Sequence, residues 1–400
     1  MISPEQALRA IRASSRALRP LTVKLDQALG LVLAAPVSAP YPYPLFDNAA
    51  LDGYAVRWRD TLAAKPREAL ALRVRGSQFA GQAWKQRLGR GEALHVTTGA
   101  PMPTGSDALV PYEAVRREGE QVWLAHPARA GQNVRRRGED AKRGQRLAGK
   151  GERLHARRLS MLAAFGVVSV KVHPRPRVAL AVSGDELLKP GPKPKAGQIF
   201  DSNTPALRSL LREAGLEPVL VVRLPDEEKA QTARLKAALR VCDVLLVAGG
   251  MSVGEKDLGK SILESLGVRR QFWKVAQKPG KPLYFGLRGR QLVFGLPGNP
   301  AAVISCFAAY VLPTLRKLAG SEDAGTTQAS LMHALPANGD KALLLKAHSV
   351  NIGGSLSVTV LNGQGSHLLR SLAEGNALVL RPAGSKALKR GQKVELISFD

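Results

Sequence analysis

Residues 247–257 read VAGGMSVGEKD, residues 274–286 KVAQKPGKPLYFG and residues 294–300 FGLPGNP. Each is a glycine- and proline-rich turn adjoining an apolar run of strand character. That alternation is expected of a parallel α/β sheet whose strand ends carry a ligand site. Gly249 and Gly250 follow the run 244–248, VLLVA, and without a Cβ the backbone there comes close to a bound anion. Gly298 and Asn299 form the third turn. Ser252 adds a hydroxyl, and Glu255 and Asp257 add carboxylates. Lys278 and Lys281 flank Pro279-Gly280 and offer point charges to phosphate or another oxyanion. Any one such turn reads as a strand end or a helix cap. All three within 247–300, interleaved with Lys and Asp, point to an anion accompanied by a metal.

Upstream, Arg177 to Val182 reads as a strand ending in Ser183-Gly184-Asp185-Glu186. It is followed by a helix with Pro205 at its start and Gly215 at its end, a strand 217–223, Asp226, a helix 227–240 and the strand 243–248. These βαβ units need right-handed crossovers, so their loops converge at the carboxyl ends of the strands and bring Asp185, Asp226, Ser252 and Asp257 towards one crevice. After Pro300 the segment 301–318 is a long apolar helix with Pro313 as a kink or break. Earlier in the chain, Ser3-Pro4-Glu5-Gln6 is a capping box opening a helix that runs to about Leu18, and 21–37 reads as a short helix and a strand. Residues 57–130 alternate short β runs with Gly turns, and 324–400 reads as a small antiparallel β domain.

Three further stretches carry polar chemistry. In 40–56, PYPYPLFDNAALDGYAV, prolines hold an extended loop that presents Asp47, Asn48 and Asp52 before Gly53. In 97–113, TTGAPMPTGSDALVPYE, Thr97 and Thr98 are donors for a phosphate or another polar ligand edge. In 131–144, GQNVRRRGEDAKRG, Arg135, Arg136 and Arg137 offer forked donors beside Glu139 and Asp140.

Together these blocks, with 183–186, 197–203 (GQIFDSN) and 363–380 (GQGSHLLRSLAEGNALVL), resemble in order the signatures of the molybdopterin molybdenumtransferase family, the MoeA and gephyrin E-domain type. The resemblance implies a reaction in which molybdate and adenylylated molybdopterin give molybdenum cofactor and AMP, with Mg2+ assisting. It implies Asp52, Asp140, Asp226 and Asp257 as catalytic, and Asp185, Glu186, Asp226 and Asp257 as metal-holding. Substrate and its phosphates fall to Thr98, Arg135, Arg136, Arg137, Ser183, Gly249, Gly250, Ser252, Lys278, Lys281, Gly298 and Asn299. It further implies a homodimer with the active site between subunits, and the upstream molybdopterin adenylyltransferase as a candidate partner. The chain departs from the family pattern at Val182 and Ser183, where Ser and Thr are usual, and at Ala302, where a Ser is expected. The second departure removes a hydroxyl worth roughly 0.5–1.5 kcal/mol to an oxyanion.

Composition sets the frame. Four hundred residues with 44% apolar content supply several cores, and aromatics at 5% leave those cores to Ala, Leu and Val. The expected organisation is α/β plus β and multidomain: 1–45 with 140–173 as an N-terminal helical and linker domain, 46–139 as a small mainly β domain, 174–323 as a molybdopterin-binding α/β domain with a parallel-sheet core, and 324–400 as a C-terminal β domain. A net charge of +27 points to polyanionic partners. The basic residues are scattered and aromatics are few, which favours small anions over nucleic acid. Two cysteines without CxxC spacing fit a reducing compartment. The start lacks an apolar leader, and the run 301–312 is too short to span a bilayer, so a soluble cytoplasmic protein is expected. The alternative function is a non-catalytic molybdopterin-binding carrier or scaffold. It predicts loss of the metal-site carboxylates, and all of these are present in the sequence.

Overall fold

The computed structural model describes residues 1–251, 258–321 and 325–399. Its centre is a six-stranded sheet whose strands in chain order are β1 (Val178–Ser183), β2 (Leu220–Leu224), β3 (Val244–Ala248), β4 (Arg269–Trp273), β5 (Tyr284–Arg288) and β6 (Gln291–Leu296), arranged 2-1-3-6-5-4. Strands 2-1-3-6 are parallel, and β5 and β4 extend the sheet antiparallel. The expected parallel core is therefore four strands wide, with an antiparallel edge.

Burial on both faces explains the continuous apolar runs. On β3, Val244, Leu246 and Ala248 enter one core cluster, together with Leu207 and Leu211 of α1 (Asn203–Glu213). Leu245 and Val247 enter the other, with Leu235 and Leu239 of α2 (Glu228–Val241) and Ile262 and Leu263 of α3 (Gly259–Ser265). The period of two along the strand thus divides two helical layers.

The last helix of this central unit, α4 (Pro300–Leu318), is a continuous rod of 19 residues. Where the sequence suggested a kink or break at Pro313, it contains a π-helical segment, Phe307–Val311, in which the Leu312 N–H donates to Phe307 O. Proline has no N–H for Ala309 O and its ring crowds that carbonyl, so the wider turn before it accommodates both effects. By length and composition the rod is apolar enough to cross a membrane, unlike the shorter run 301–312 noted in the sequence. However, 78% of its apolar window is buried inside the protein, so it behaves as a core helix.

The first helix, Pro4–Ser14, opens on the predicted capping box, with Gln6 N–H donating to Ser3 Oγ and Ser3 N–H to Gln6 Oε1. It ends at Ser14, short of Leu18. Its Ala7 and Ile11 pack in the same cluster as Tyr310 and Leu315 of α4, and Leu18 N–H donates to Leu318 O. Residues 21–37 contain the expected short helix, as a 3-10 turn at Leu25–Gln27, and the strand Val32–Leu33, and they add a strand the sequence did not indicate, Leu21–Lys24, because it finds Ser169–His173 as an antiparallel partner. The β region is a six-stranded sheet built from strands between Gly53 and Leu124.

The C-terminal region is also β but is not wholly antiparallel. Thr327–Leu331 pairs in parallel with Ser355–Val360, and Ala342–Ile352 pairs with both Ser355–Val360 and Ala377–Arg381, so five strands close a ring. A short strand from the central unit, Gln277–Lys278, adds to this ring in parallel beside Ala342 and Leu343.

At the amino ends of β1 and β3, Arg177 binds Asp243 through its backbone N–H and through its guanidinium Nε and Nη2. Burial pushes the Asp243 carboxyl up, but the hydrogen bonds and charge of Arg177 outweigh it and hold it below the usual range. A depressed folded pKa means the stabilisation is present above the unfolded value and is lost as pH falls through the folded one. Asp243→Asn is therefore expected to lower the stability at neutral pH by about 1 kcal/mol once the exposure of Arg177 is allowed for. Thermal unfolding of both proteins towards acid pH should show that difference shrinking.

Candidate functional site

The carboxyl ends of β1, β3 and β6 open onto a cavity of about 690 Å³. The strand order reverses between β1 and β3, and this is where an open α/β sheet leaves a crevice. Ser183, Gly184 and Glu186 enter it after β1, Asp226 after β2, Gly249, Gly250 and Met251 after β3, and Gly298 and Asn299 after β6. Lys278 and Lys281 reach it from the loop between β4 and β5.

The glycine turn after β3 has a steric reason. Gly249 has φ +82°, and a Cβ there would lie 2.8 Å from Ser183 O. Its N–H donates to Leu296 O at 3.3 Å, which ties the ends of β3 and β6 together. The glycine therefore serves the close approach of three strand ends. The neighbouring turn after β1 is clamped from below. Arg223 Nη2 donates to Gly184 O and Asp185 O at 2.9 and 3.1 Å, and Asp226 N–H donates to the Asp185 carboxylate at 3.2 Å. Asp185 thus holds the turn that carries Asp226, while Glu186 and Asp226 line the cavity themselves.

Among the described residues no group of three His, Cys, Asp or Glu is placed to hold a metal ion. Ser252, Glu255 and Asp257 lie outside the described residues. Glu186 and Asp226 alone still suit Mg2+, which usually takes one or two carboxylates and completes its shell with substrate phosphates and water.

Two contributors to the cavity were not singled out in the sequence. Asn203, at the start of α1, donates to Gly298 O at 2.8 Å and fixes the third turn. Ser366, from the C-terminal ring, lines the cavity and accepts from Asn299 Nδ2 at 3.0 Å. Its loop is held by Lys346, 3% exposed, whose ammonium donates to Gly365 O, Leu368 O and Ser371 Oγ. The 363–380 block marks this region, but nothing local distinguishes Ser366 from an ordinary loop serine. Ala302 lines the same cavity without a hydroxyl.

The remaining predicted residues form a second group. No residue before Ser183 lines the cavity. Asp52 accepts from the Thr98 N–H and hydroxyl, both at 2.7 Å, and these bonds, the backbone one foremost, hold its carboxyl below the usual range. Strand Val134–Arg135 pairs with Asn48–Ala49, so the arginine turn lies against the Asp47 loop. Arg136 bridges to Asp47 at 2.8 Å, the Arg137 N–H donates to the other Asp47 oxygen, and Arg135 reaches Ala50 O at 3.5 Å. The exposed Asp140 is anchored by its backbone N–H on Tyr43 O. Within one chain the described ones among the predicted residues therefore divide into a strand-end cavity and an Asp52 group.

Three family models match the chain in succession. They are described as the MoeA N-terminal region (domain I and II) over residues 2–166, a probable molybdopterin binding domain over 179–317, and the MoeA C-terminal region (domain IV) over 328–399. The chain is 32% identical over 383 residues to a molybdopterin molybdenumtransferase of Haemophilus influenzae, covering 94% of this chain and 93% of that one. It is 33% identical over 403 residues to molybdopterin molybdenumtransferase 2 of Mycobacterium tuberculosis, covering 99% of each. Among solved structures, a molybdopterin biosynthesis MoeA protein from Pyrococcus horikoshii superposes with a TM-score of 0.82 at 32% identity, over 100% of this chain and 99% of that one.

Two outcomes are expected. Thr98→Val keeps the backbone bond to Asp52 but removes the hydroxyl, so the Asp52 titration followed by carboxylate NMR should move up towards that of a free aspartate. Gly249→Ala forces a left-handed backbone and a clash with Ser183 O, and should lower stability by about 1–2 kcal/mol in thermal unfolding.

Proposed function

Because this chain belongs to the MoeA family, we propose that it is a molybdopterin molybdenumtransferase, inserting molybdenum into molybdopterin. The reading is carried by one observation: the cavity pairs two cationic side chains, Lys278 and Lys281, with two carboxylates, Glu186 and Asp226, over glycine turns. That donor set suits the joint binding of a tetrahedral oxyanion and a phosphorylated substrate. The substrates in this reading are molybdate and adenylylated molybdopterin, and AMP is released.

Lys278 and Lys281 attract and orient the oxyanion, with Ser366 as a hydroxyl donor from the C-terminal ring. Asn299 already donates to Ser366 Oγ, which leaves the serine proton for a ligand oxygen. Glu186 and Asp226 would hold Mg2+, which would neutralise charge on the phosphoanhydride as AMP departs. Asp185 and Arg223 keep those carboxylates in place through the turns they clamp.

Asp52, Thr98 and Arg135 to Arg137 lie on a different part of the chain from the cavity lining. In this reading they complete the site from a second subunit, with Asp52 kept ionised by Thr98 and the arginines meeting substrate phosphates. The exposed Tyr41, Leu45, Phe46 and Leu51 around this group are apolar surface for such a contact. Both cysteines are free and buried, in keeping with a cytoplasmic protein.

The test is AMP release from adenylylated molybdopterin by the purified protein with molybdate and Mg2+. Wild type should show molybdate-dependent release, and both Asp52→Ala and Asp226→Ala should abolish it. Mixing the two inactive variants should restore part of the activity if Asp52 and Asp226 work across subunits. Substrate binding without turnover in the wild type would overturn the reading in favour of a carrier.

A further inference from the structure

The loop that carries Lys278 and Lys281 rests on a side chain that scarcely meets solvent. Gln277 is 1% exposed, and its backbone pairs with Ala342 of the C-terminal ring. Both ends of its amide are engaged. The Tyr310 hydroxyl donates to Gln277 Oε1, while Gln277 Nε2 donates to Gly280 O at 3.4 Å and lies 3.7 Å from Cys306 Sγ. Gly280 is the residue between the two lysines on the side of Lys281. Its φ is +95°, and a Cβ there would fall 2.5 Å from Cys306 Sγ and 2.6 Å from Gln277 Nε2. The loop is thus seated directly on Gln277 and Cys306, with no room beneath it.

Tyr310, also 1% exposed, belongs to the π segment of α4, and Cys306 stands four residues before it on the same side of the rod. The amino end of that rod, Asn299 and Pro300, lines the cavity. One helix therefore meets the site twice, directly at its start and again through Cys306 and Tyr310 under the lysine loop. Single π turns inside α-helices are frequent at functional sites.

We propose that Tyr310 is a positioning residue for oxyanion binding, acting through Gln277 on the loop that holds Lys278 and Lys281. Without its hydroxyl, Gln277 Oε1 is a buried acceptor with no partner, a situation that favours rotation of the amide. Rotation removes the donor from Gly280 O and frees the loop between the lysines. Tyr310 does not line the cavity, whereas Gln277 and the lysine loop do, so its effect on the ligand passes through Gln277 and the loop that Gln277 supports. The inference rests on the reading of this loop as the oxyanion site.

The experiment is a double-mutant cycle on the full-length protein. Steady-state AMP release is measured over a range of molybdate concentrations for wild type, Tyr310→Phe, Lys281→Met and the double variant, with thermal unfolding alongside. Tyr310→Phe should raise the KM for molybdate roughly threefold to tenfold with kcat largely kept, and should cost less in the Lys281→Met background, where only Lys278 is left to be positioned. Gln277→Met should reproduce the same pattern and serves if Tyr310→Phe folds poorly. If Tyr310→Phe leaves the KM unchanged, or multiplies the Lys281→Met defect in full, the positioning role is wrong. If Lys281→Met itself leaves the molybdate KM unchanged, the underlying reading of the loop as the oxyanion site fails instead.

Discussion

The structure depends on how closely three strand ends approach one another. Gly249 sits where a Cβ would strike Ser183 O, its N–H reaches Leu296 O, and Gly298 lies against it, a Cβ there being 4.0 Å from Gly249 Cα. Bulkier residues at these turns would push β1, β3 and β6 apart at their carboxyl ends and open the floor of the cavity. Everything that lines the cavity is arranged around this contact. The apolar runs behind it, buried on both faces, make the strands rigid enough for turns of minimal bulk to define a pocket.

Around that floor, polar groups are held by partners that do not themselves line the cavity. Arg223 clamps the turn after β1, and Lys346 ties down the loop that delivers Ser366. A buried ammonium that satisfies its three hydrogens with two carbonyls and a hydroxyl fixes a loop more firmly than an exposed ion pair does. The C-terminal ring is therefore joined to the site twice, by Ser366 and by the short strand Gln277–Lys278.

Much of this was legible in sequence because local chemistry and tertiary structure agree. The run 244–248 with its glycine pair gave β3 and its turn, and the Ser3 to Gln6 capping box gave the first helix. The Lys278 to Lys281 loop and the Glu186 and Asp226 carboxylates reach the cavity that their motifs suggested. The failures have a common cause in partners distant along the chain. Leu21–Lys24 is a strand because Ser169–His173 pairs with it, and the parallel pairing of Thr327–Leu331 with Ser355–Val360 makes a closed ring of what reads as simple hairpins. Asn203 and Ser366 fall within the 197–203 and 363–380 blocks, but nothing local sets them apart from their neighbours, since each acts through one bond to the 298–299 turn. The π segment follows from Pro313, but a proline in a helix announces a distortion without specifying its form.

The central claim is that the strand-end cavity, with its lysine loop, receives the oxyanion. The most direct measurement is anomalous scattering at the molybdenum edge from crystals of this protein soaked in molybdate. The account predicts a peak in the cavity, within hydrogen-bonding reach of Lys281 and of the turn at Gly298. A peak confined to the Arg136 and Asp47 group, with none between the strand ends, would contradict it.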